Sequence, residues 1–451
     1  MSAEGGIRTP GTQSTTPMLS HPKANPVGRL AEVDQTTEAE LKQAVLWGDP
    51  HAHSGMSSDG CETPDADCVA EMAGAPGKNM ASKAADNGLD WFALTDHVEF
   101  GEYVDLSTGE SLPIWDGMLD LVSRSRDEGA MLYAGYEWRD CSAGGTHHRT
   151  VIFESSAACS TLRPPACPLA KSPKTGFGME GYLRREETGA LSAKELFEFL
   201  NAASDTPGCE TRWVAFAHHS AYTRPGEVNW QRSVDRMDNE VLLEIFSEHG
   251  SNECQDLSKD GCEFYTSKEV YSSQGSAQAA LQAGLLVGFV AGTDSHDANP
   301  GSTEDGPGPV TTLQVVDGKG VPEVGYQRAP GGVTAVLLPP GQAPTEQAVF
   351  DGLLARHTVA STVVLDGLEL WVEDPMGQTY LPGDQLPTGT YRLNLNLPYT
   401  PTSILLVDQY GESVMANDWF TVQLGEPRYL RIDLEIDGEL ERLWASPFFA
   451  I

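Results

Sequence analysis

The sequence predicts a two-part α/β protein, with parallel strands alternating with helices and then a small antiparallel β module. Three observations predict it. Between about residues 39 and 300, short apolar runs alternate with helical stretches, the pattern of parallel strands joined by crossover helices in a barrel or an open sheet. After residue 363 the chain becomes β-rich, with Pro-Gly, Asp-Gly and Pro-Thr-Gly turns between short strands, as in a sandwich. The length of 451 residues exceeds one ordinary domain. The expected partition is a tail (1–36), an α/β domain (37–362) and a β module (363–451).

Residues 1–36 are rich in Thr, Ser, Gly and Pro without periodicity, which predicts disorder. Strands are expected over 44–48, 89–95, 131–136, 213–217, 241–247 and 286–292. A helix over 78–87 stops at Asn87-Gly88, where glycine takes the left-handed cap at little cost; another over 118–128 stops at Gly129. Ser192-Ala-Lys-Glu195 is a capping box opening a helix through Leu200. Strands over 313–316 and 333–338 follow, then a helix over 344–357 with Pro344 in its first turn. The β module offers strands over 368–372, 391–397, 403–407, 420–424 and 430–436.

The chain carries 29 Lys and Arg against 65 Asp and Glu, a formal net charge of −36. That excludes the basic stripes that grip nucleic acid and disfavours anionic membrane surfaces. No window approaches the roughly 18–20 apolar residues of a membrane span. The eight Cys include no Cys-x-x-Cys pair, so a thiolate zinc site is not expected. Cys61–Cys68 and Cys254–Cys262 bound short polar loops that a disulfide could close. Such loops suit an oxidising compartment, periplasmic or extracellular, against the alternative of eight buried or incidental thiols. Residues 1–26 lack the apolar core of a signal peptide, so export would require a leader outside this sequence.

Chemistry concentrates at the expected strand ends. The first leads into Asp49-Pro-His51-Ala-His53 and on to Asp59, the second ends in Thr95-Asp96-His97, and the third in Tyr136-Glu137-Trp138 followed by His147-His148-Arg149. The fourth leads to His218-His219, the fifth to Glu248-His249 and the sixth to Asp294-Ser-His296. Nine of the eleven histidines lie in these segments. Each alone has an ordinary reading: a helix cap, a buried carboxylate, a solvated turn. Together they fall where parallel strands share one face, and where active sites assemble. Neutral imidazoles with carboxylates suit Zn, Mn or Fe(II). There are too many donors for one tetrahedral ion, so two or three divalent ions bridged by Glu137 is the economical reading. The signatures of nucleophile elbows, phosphate loops and His-Glu-x-x-His metalloproteases are absent from the sequence.

The order of these segments resembles the PHP (polymerase and histidinol phosphatase) superfamily. Gly48-Asp-Pro-His51-Ala-His53-Ser-Gly-Met-Ser-Ser-Asp59-Gly60 is similar to its first motif and Leu89-Asp-Trp-Phe-Ala-Leu-Thr-Asp96-His97 to its second. Gly135-Tyr-Glu137 with His148 resembles the third, Ala217-His218 the fourth and Asp294-Ser-His296 the last. Gly331-Gly-Val-Thr-Ala-Val, Leu354-Ala-Arg356-His-Thr358-Val-Ala-Ser-Thr362 and Leu443-Trp-Ala-Ser-Pro447 resemble a large bacterial branch with a β-rich tail, whose members are often exported. The resemblance implies a distorted (β/α)7 barrel holding three metals through His51, His53, Asp59, His97, Glu137, His148, His218, Asp294 and His296. Pro50, Ser54 and His357 depart from the usual pattern without removing a ligand.

The implied activity is hydrolysis of a small-molecule phosphate ester. On this reading Glu137 bridges metals at the reacting centre, Arg149 contacts the phosphate, and His219 or His249 protonates the leaving group, while Asp96 orients a ligand. The alternatives are hydrolysis of a sulfate ester, lactone or amide, or a catalytically idle metal-containing binding protein.

Overall fold

The computed structural model describes residues 43–57, 80–98, 102–104, 111–127, 131–139, 148–154, 160–163, 193–209, 211–222, 228–230, 240–259, 261–262, 264, 271–296, 298–303, 313–316, 319–322, 329–415 and 419–450. They belong to one compact unit, Leu41–Ile451. The expected tail over 1–36, Asp59, His147 and the Cys61–Cys68 pair lie outside the described residues.

The strands that build the site are β1 (Val45–Ala52), β2 (Trp91–Leu94), β3 (Met131–Arg139), β4 (His148–Phe153), β5 (Trp213–His218), β6 (Leu242–Ser247) and β7 (Gly288–Ala291). They continue one large sheet with β8 (Val333–Leu337) and β9 (Thr358–Ser361). The order is β7-β6-β5-β4-β3-β2-β1-β8-β9. Pairs β1·β2, β2·β3, β5·β6 and β6·β7 are parallel, as the alternating pattern predicts. The sheet is mixed, however. β4 runs antiparallel between β3 and β5, and β8 and β9 are antiparallel to their neighbours.

A (β/α)7 barrel is not shown. Five α-helices occur among the described residues. The free edge of β7 meets β8 and β9 through side-chain hydroxyls instead of a backbone ladder. Thr334 Oγ1 bonds both the N–H and the carbonyl of Ala291, at 2.9 and 2.8 Å. Thr358 Oγ1 donates to Phe289 O at 2.7 Å, and Phe289 N donates to Ser446 Oγ at 2.8 Å. These bonds satisfy buried main-chain groups that an ordinary edge would leave to water.

Period-2 alternation sorts the side chains of this sheet into two packed faces. One face gathers Leu46, Trp91, Ala93, Tyr133, Ile152, Val214, Phe216, Leu242, Val290 and Val336. It is closed at one end by Phe350 and Leu353 of α5 (Glu346–Ala355), which follows α4 (Ala277–Gln282) in the chain. The other face carries Trp47, Phe92, Leu94, Leu132, Tyr136, Trp138, Phe153 and Trp213. Against it pack α2 (Ile114–Asp127) and α3 (Ala193–Ser204), with Trp115, Met118, Phe197 and Leu200; α1 (Met80–Asp86) lies between β1 and β2 in sequence. Helix α5 begins one residue after its cap, Thr345, whose hydroxyl accepts from Ala348 N. Pro344 therefore precedes the helix and is not in its first turn.

The β-rich tail is mostly antiparallel, as expected, with Gln385–Leu386 pairing parallel to Phe449–Ala450. Strands β10 (Glu369–Glu373), β11 (Gly389–Asn396) and β13 (Trp419–Val422) make a separate sheet, with Thr379–Tyr380 at its edge. Strands β12 (Ser403–Asp408), β14 (Arg428–Ile436) and β15 (Glu439–Ala445) instead extend the main sheet, β15 pairing with β9. A buried carboxylate ties them down. Glu253 accepts from Tyr429 Oη at 2.7 Å, Arg431 Nη1 at 3.2 Å and Trp444 Nε1 at 2.9 Å. Beside it, Cys254 and Cys262 form the disulfide that their spacing suggested. Cys209 is disulfide-bonded as well.

Glu253→Ala removes the carboxylate that Arg431 meets in the interior, and unbalancing a buried ion pair typically costs about 3–5 kcal/mol. Urea denaturation of the variant is expected to show a loss of that order. A change within ~1 kcal/mol, the range of exposed pairs, would contradict this account of the tail.

Candidate metal centre

A local irregularity in β1 aims the first two histidines. Leu46 belongs to the interior face and Ala52 to the outer one, six residues apart where strict alternation would leave them together. The switch lies between Asp49 and Ala52, which pair with Phe92 and Leu94, so β1 has one residue more than β2 over this stretch. This is a β-bulge. Pro50 sits inside it, where its missing N–H costs no ladder bond. Beyond the bulge His51 and His53 turn inward.

The remaining groups reach the same interior by ordinary alternation. Glu137 follows Tyr133 and Gly135 on β3; His148 precedes Thr150 and Ile152 on the antiparallel β4; His218 follows Val214 and Phe216 on β5; Glu244 follows Leu242 on β6. Gly292, just past β7, allows the sheet to close on them, because a Cβ there would lie 2.6 Å from His51 Cβ. His97, Asp294 and His296 enter on the loops after β2 and β7.

Glu137 is the hub. Its Oε2 lies 3.0 Å from His51 Nε2, 3.1 Å from His53 Nε2 and 3.5 Å from His97 Nε2. Its Oε1 contacts His148 Nδ1 and lies 3.8 Å from His218 Nε2. Asp294 Oδ1 lies 3.2 Å from His53 Nε2, and its Oδ2 lies 3.3 Å from His218 Nε2. His296 is stacked on His53 with ring centroids 4.5 Å apart. Eight of the nine expected ligand residues therefore converge, and the ninth is Asp59.

Several carboxylates hold this set in place. Glu244 Oε1 faces His51 Nδ1 at 3.0 Å and its Oε2 meets His218 Nδ1. An ionised carboxylate only accepts, so both Nδ1 atoms carry the proton and both Nε2 atoms turn towards Glu137 and Asp294. Asp96 accepts from Ser54 N and Ser54 Oγ, each at 2.6 Å, fixing the turn after His53. Asp49 accepts from His51 N, Thr293 N and Gly301 N at 3.0, 3.1 and 3.0 Å. Burial pushes the Asp49 carboxyl up to about 6 against those bonds.

The electrostatics show what the cage demands. Burial raises the pKa of Glu137, but His97, His148 and His218 hold it well below the usual carboxylate range. Burial also opposes the charging of His51, which Asp294 and Glu244 nevertheless hold well above the ordinary imidazole value; His218 is pushed to about 9 in the same way. Nε2 lone pairs aimed at carboxylate oxygens need positive charge between them, from a proton or from a metal ion. Among the described residues, Asp294 Oδ2 and His219 Nδ1 are buried without a hydrogen bond. Metal-type groups occur at Glu137–His148–His218–His219, at His51–Glu137–His218–Asp294 and at His53–Asp294–His296, with one atom per residue all within 4.8 Å. The nitrogen and oxygen donor set fits Zn, Mn or Fe(II).

Two expected roles change. Arg149 alternates with His148 and points to the other face of β4, fully buried and paired with Glu240. That placement gives no support to a contact with a phosphate in the cage. His219 does reach it, with a left-handed φ of 36°, which costs energy outside glycine and persists where the surroundings enforce it. Burial, reinforced by His218, His148 and His249, holds its imidazole neutral, which suits a lone-pair donor better than a general acid. Glu244 had no role in the sequence reading. Its signal was a lone carboxylate within the apolar run Val-Leu-Leu-Glu-Ile-Phe, a placement that burial makes costly.

The fold and the cage define an α/β protein with buried His, Glu and Asp groups able to hold metal ions. No protein family and no curated protein matches the chain. Among solved structures, a two-domain protein from Bacteroides vulgatus ATCC 8482 containing a predicted PHP-like metal-dependent phosphoesterase is similar, with a TM-score of 0.39 and 14% identity over 89% of this chain and 95% of that one.

Glu244→Gln removes one of the two acceptors that fix the imidazoles, and losing such a partner typically lowers metal affinity about 10–100-fold. Competition with a chromogenic chelator measures this. An affinity within twofold of the wild type would show that Glu244 does not orient His51 and His218.

Proposed function

We propose that the chain is a metal-dependent phosphoesterase of the PHP type, acting on a small-molecule phosphate ester with two or three divalent ions, Zn, Mn or Fe. The observation that carries the reading is Glu137, whose two oxygens divide between His51, His53 and His97 on one side and His148 and His218 on the other. That is the disposition of a bridging carboxylate. The sequence motifs that resemble the PHP superfamily support it from a separate direction.

His51, His53, His97, Glu137, His148, His218, Asp294 and His296 would hold the ions, with Asp59 completing the implied set. Bound there, such ions supply a water of lowered pKa as nucleophile and positive charge for the phosphoryl oxygens. The chain's own contribution is position and exclusion. Glu244 sets two tautomers, Asp49 and Asp96 pin the loops that carry Asp294 and His53, and the burial of the cage keeps bulk water from competing with the held groups. A local concentration of cationic charge outweighs the net −36 at short range. At long range the net charge repels polyanions, which favours small esters over polynucleotides. The Cys254–Cys262 disulfide supports a periplasmic or extracellular setting.

Assays on a chromogenic phosphomonoester and phosphodiester are expected to show turnover that EDTA removes and Mn or Zn restores. Glu137→Ala should lower it by more than the ~100-fold typical of an outer-shell change. Bound metal without turnover on either ester would instead favour the idle binding protein, and turnover on a sulfate ester or lactone alone would move the substrate class.

A further inference from the structure

The two oxygens of Asp294 face different nitrogens. Oδ1 lies 3.2 Å from His53 Nε2 and 3.5 Å from His51 Nε2. Oδ2 lies 3.3 Å from His218 Nε2 and 3.1 Å from His249 Nε2. An ionised carboxylate offers about four lone-pair sites over two oxygens, so one aspartate can serve two cations. Glu248 stands nearby, with its own Oε1 3.5 Å from His296 Nδ1. Ligand atoms of Glu248, His249 and Asp294 all fall within 4.8 Å of one another. Of these three, the ligand set implied by the family resemblance contains only Asp294.

The chain at this point is pinned from several sides. His249 N donates to Ser247 Oγ at 3.3 Å, and the His249 carbonyl accepts from the Tyr222 hydroxyl. Ala329 N donates to the Glu248 carbonyl at 2.8 Å. Two neighbouring side chains are thereby held against one carboxylate, and two acids with one imidazole balance the charge of a divalent ion of the borderline kind.

We propose that Asp294 Oδ2, His249 and Glu248 form a further cation position for Zn or Mn, making Asp294 a second bridging carboxylate beside Glu137. The proposal rests on the cage holding metal at all. It is tested by elemental analysis of the full chain, loaded with Zn alone and dialysed, as wild type, Glu248→Gln and His249→Gln. Each variant is expected to hold one ion per chain fewer than the wild type, with the rest retained. An anomalous-difference map of Zn-loaded wild-type crystals should show a peak among Asp294, His249 and Glu248, and it decides the matter if a variant does not fold. Unchanged stoichiometry in both variants, or a map with peaks elsewhere in the cage and none at this position, overturns this inference alone. A wild type that binds no metal overturns the hydrolase reading with it.

Discussion

Eight imidazoles crowd one interior with the carboxylates of Glu137, Glu244, Glu248 and Asp294, and most of them are buried. That crowding is the constraint on which the rest of the structure depends. A buried ionisable group without a partner costs several kcal/mol, so each must face an opposite charge or a cation. The fold meets the demand by arranging acids between bases: Glu137 among five histidines, Glu244 behind two of them, and Asp294 on the opposite side. The surrounding structure then exists to keep these distances. The bulge at Pro50, the glycine at 292 and the left-handed φ of His219 and Asp294 all sit within the cage or next to it, where backbone irregularity is expected if function imposes it.

Much of this was legible in the sequence. Strands are read from apolar runs whose length and turn signals are local, and the parallel pairs follow from the alternation with helices. The ligand-type residues stood out because nine histidines at strand ends have no simple structural explanation. What local pattern could not supply was direction. Counting by twos from Leu46 places His51 and His53 on the outer face, and only the extra residue in β1 turns them inward. No strand was expected over His148–Phe153, so the alternation that turns Arg149 away from His148 was not available to the sequence reading. Glu244 is hidden for the opposite reason: the run Val-Leu-Leu-Glu-Ile-Phe reads as an apolar strand, and its one carboxylate is tolerated there only with a charged partner.

The larger arrangement was less legible because it rests on pairings between residues far apart in sequence. Residues 403–445 read as part of a β module, and their strands do pair antiparallel, yet four of them extend the main sheet. Nothing in a local pattern marks Glu253 as the anchor of Arg431 and Trp444, about 180–190 residues away. Likewise the seam between β7 and its neighbours is made by Thr334, Thr358 and Ser446, hydroxyls that look like ordinary strand residues until the edge they satisfy is known. The Glu253 tie also lies one residue from Asn252, whose side chain bonds Glu244 O and Ala221 N. The tail is thus joined through buried polar groups to the strands that carry the site.

X-ray absorption on the Zn- or Mn-loaded protein tests the centre most directly. Several ions bridged by one glutamate should give a nitrogen and oxygen shell with imidazole scattering and a metal–metal vector of about 3.5–4 Å. A lone ion in an all-oxygen, water-like shell, with neither imidazole nor metal–metal scattering, would contradict the account.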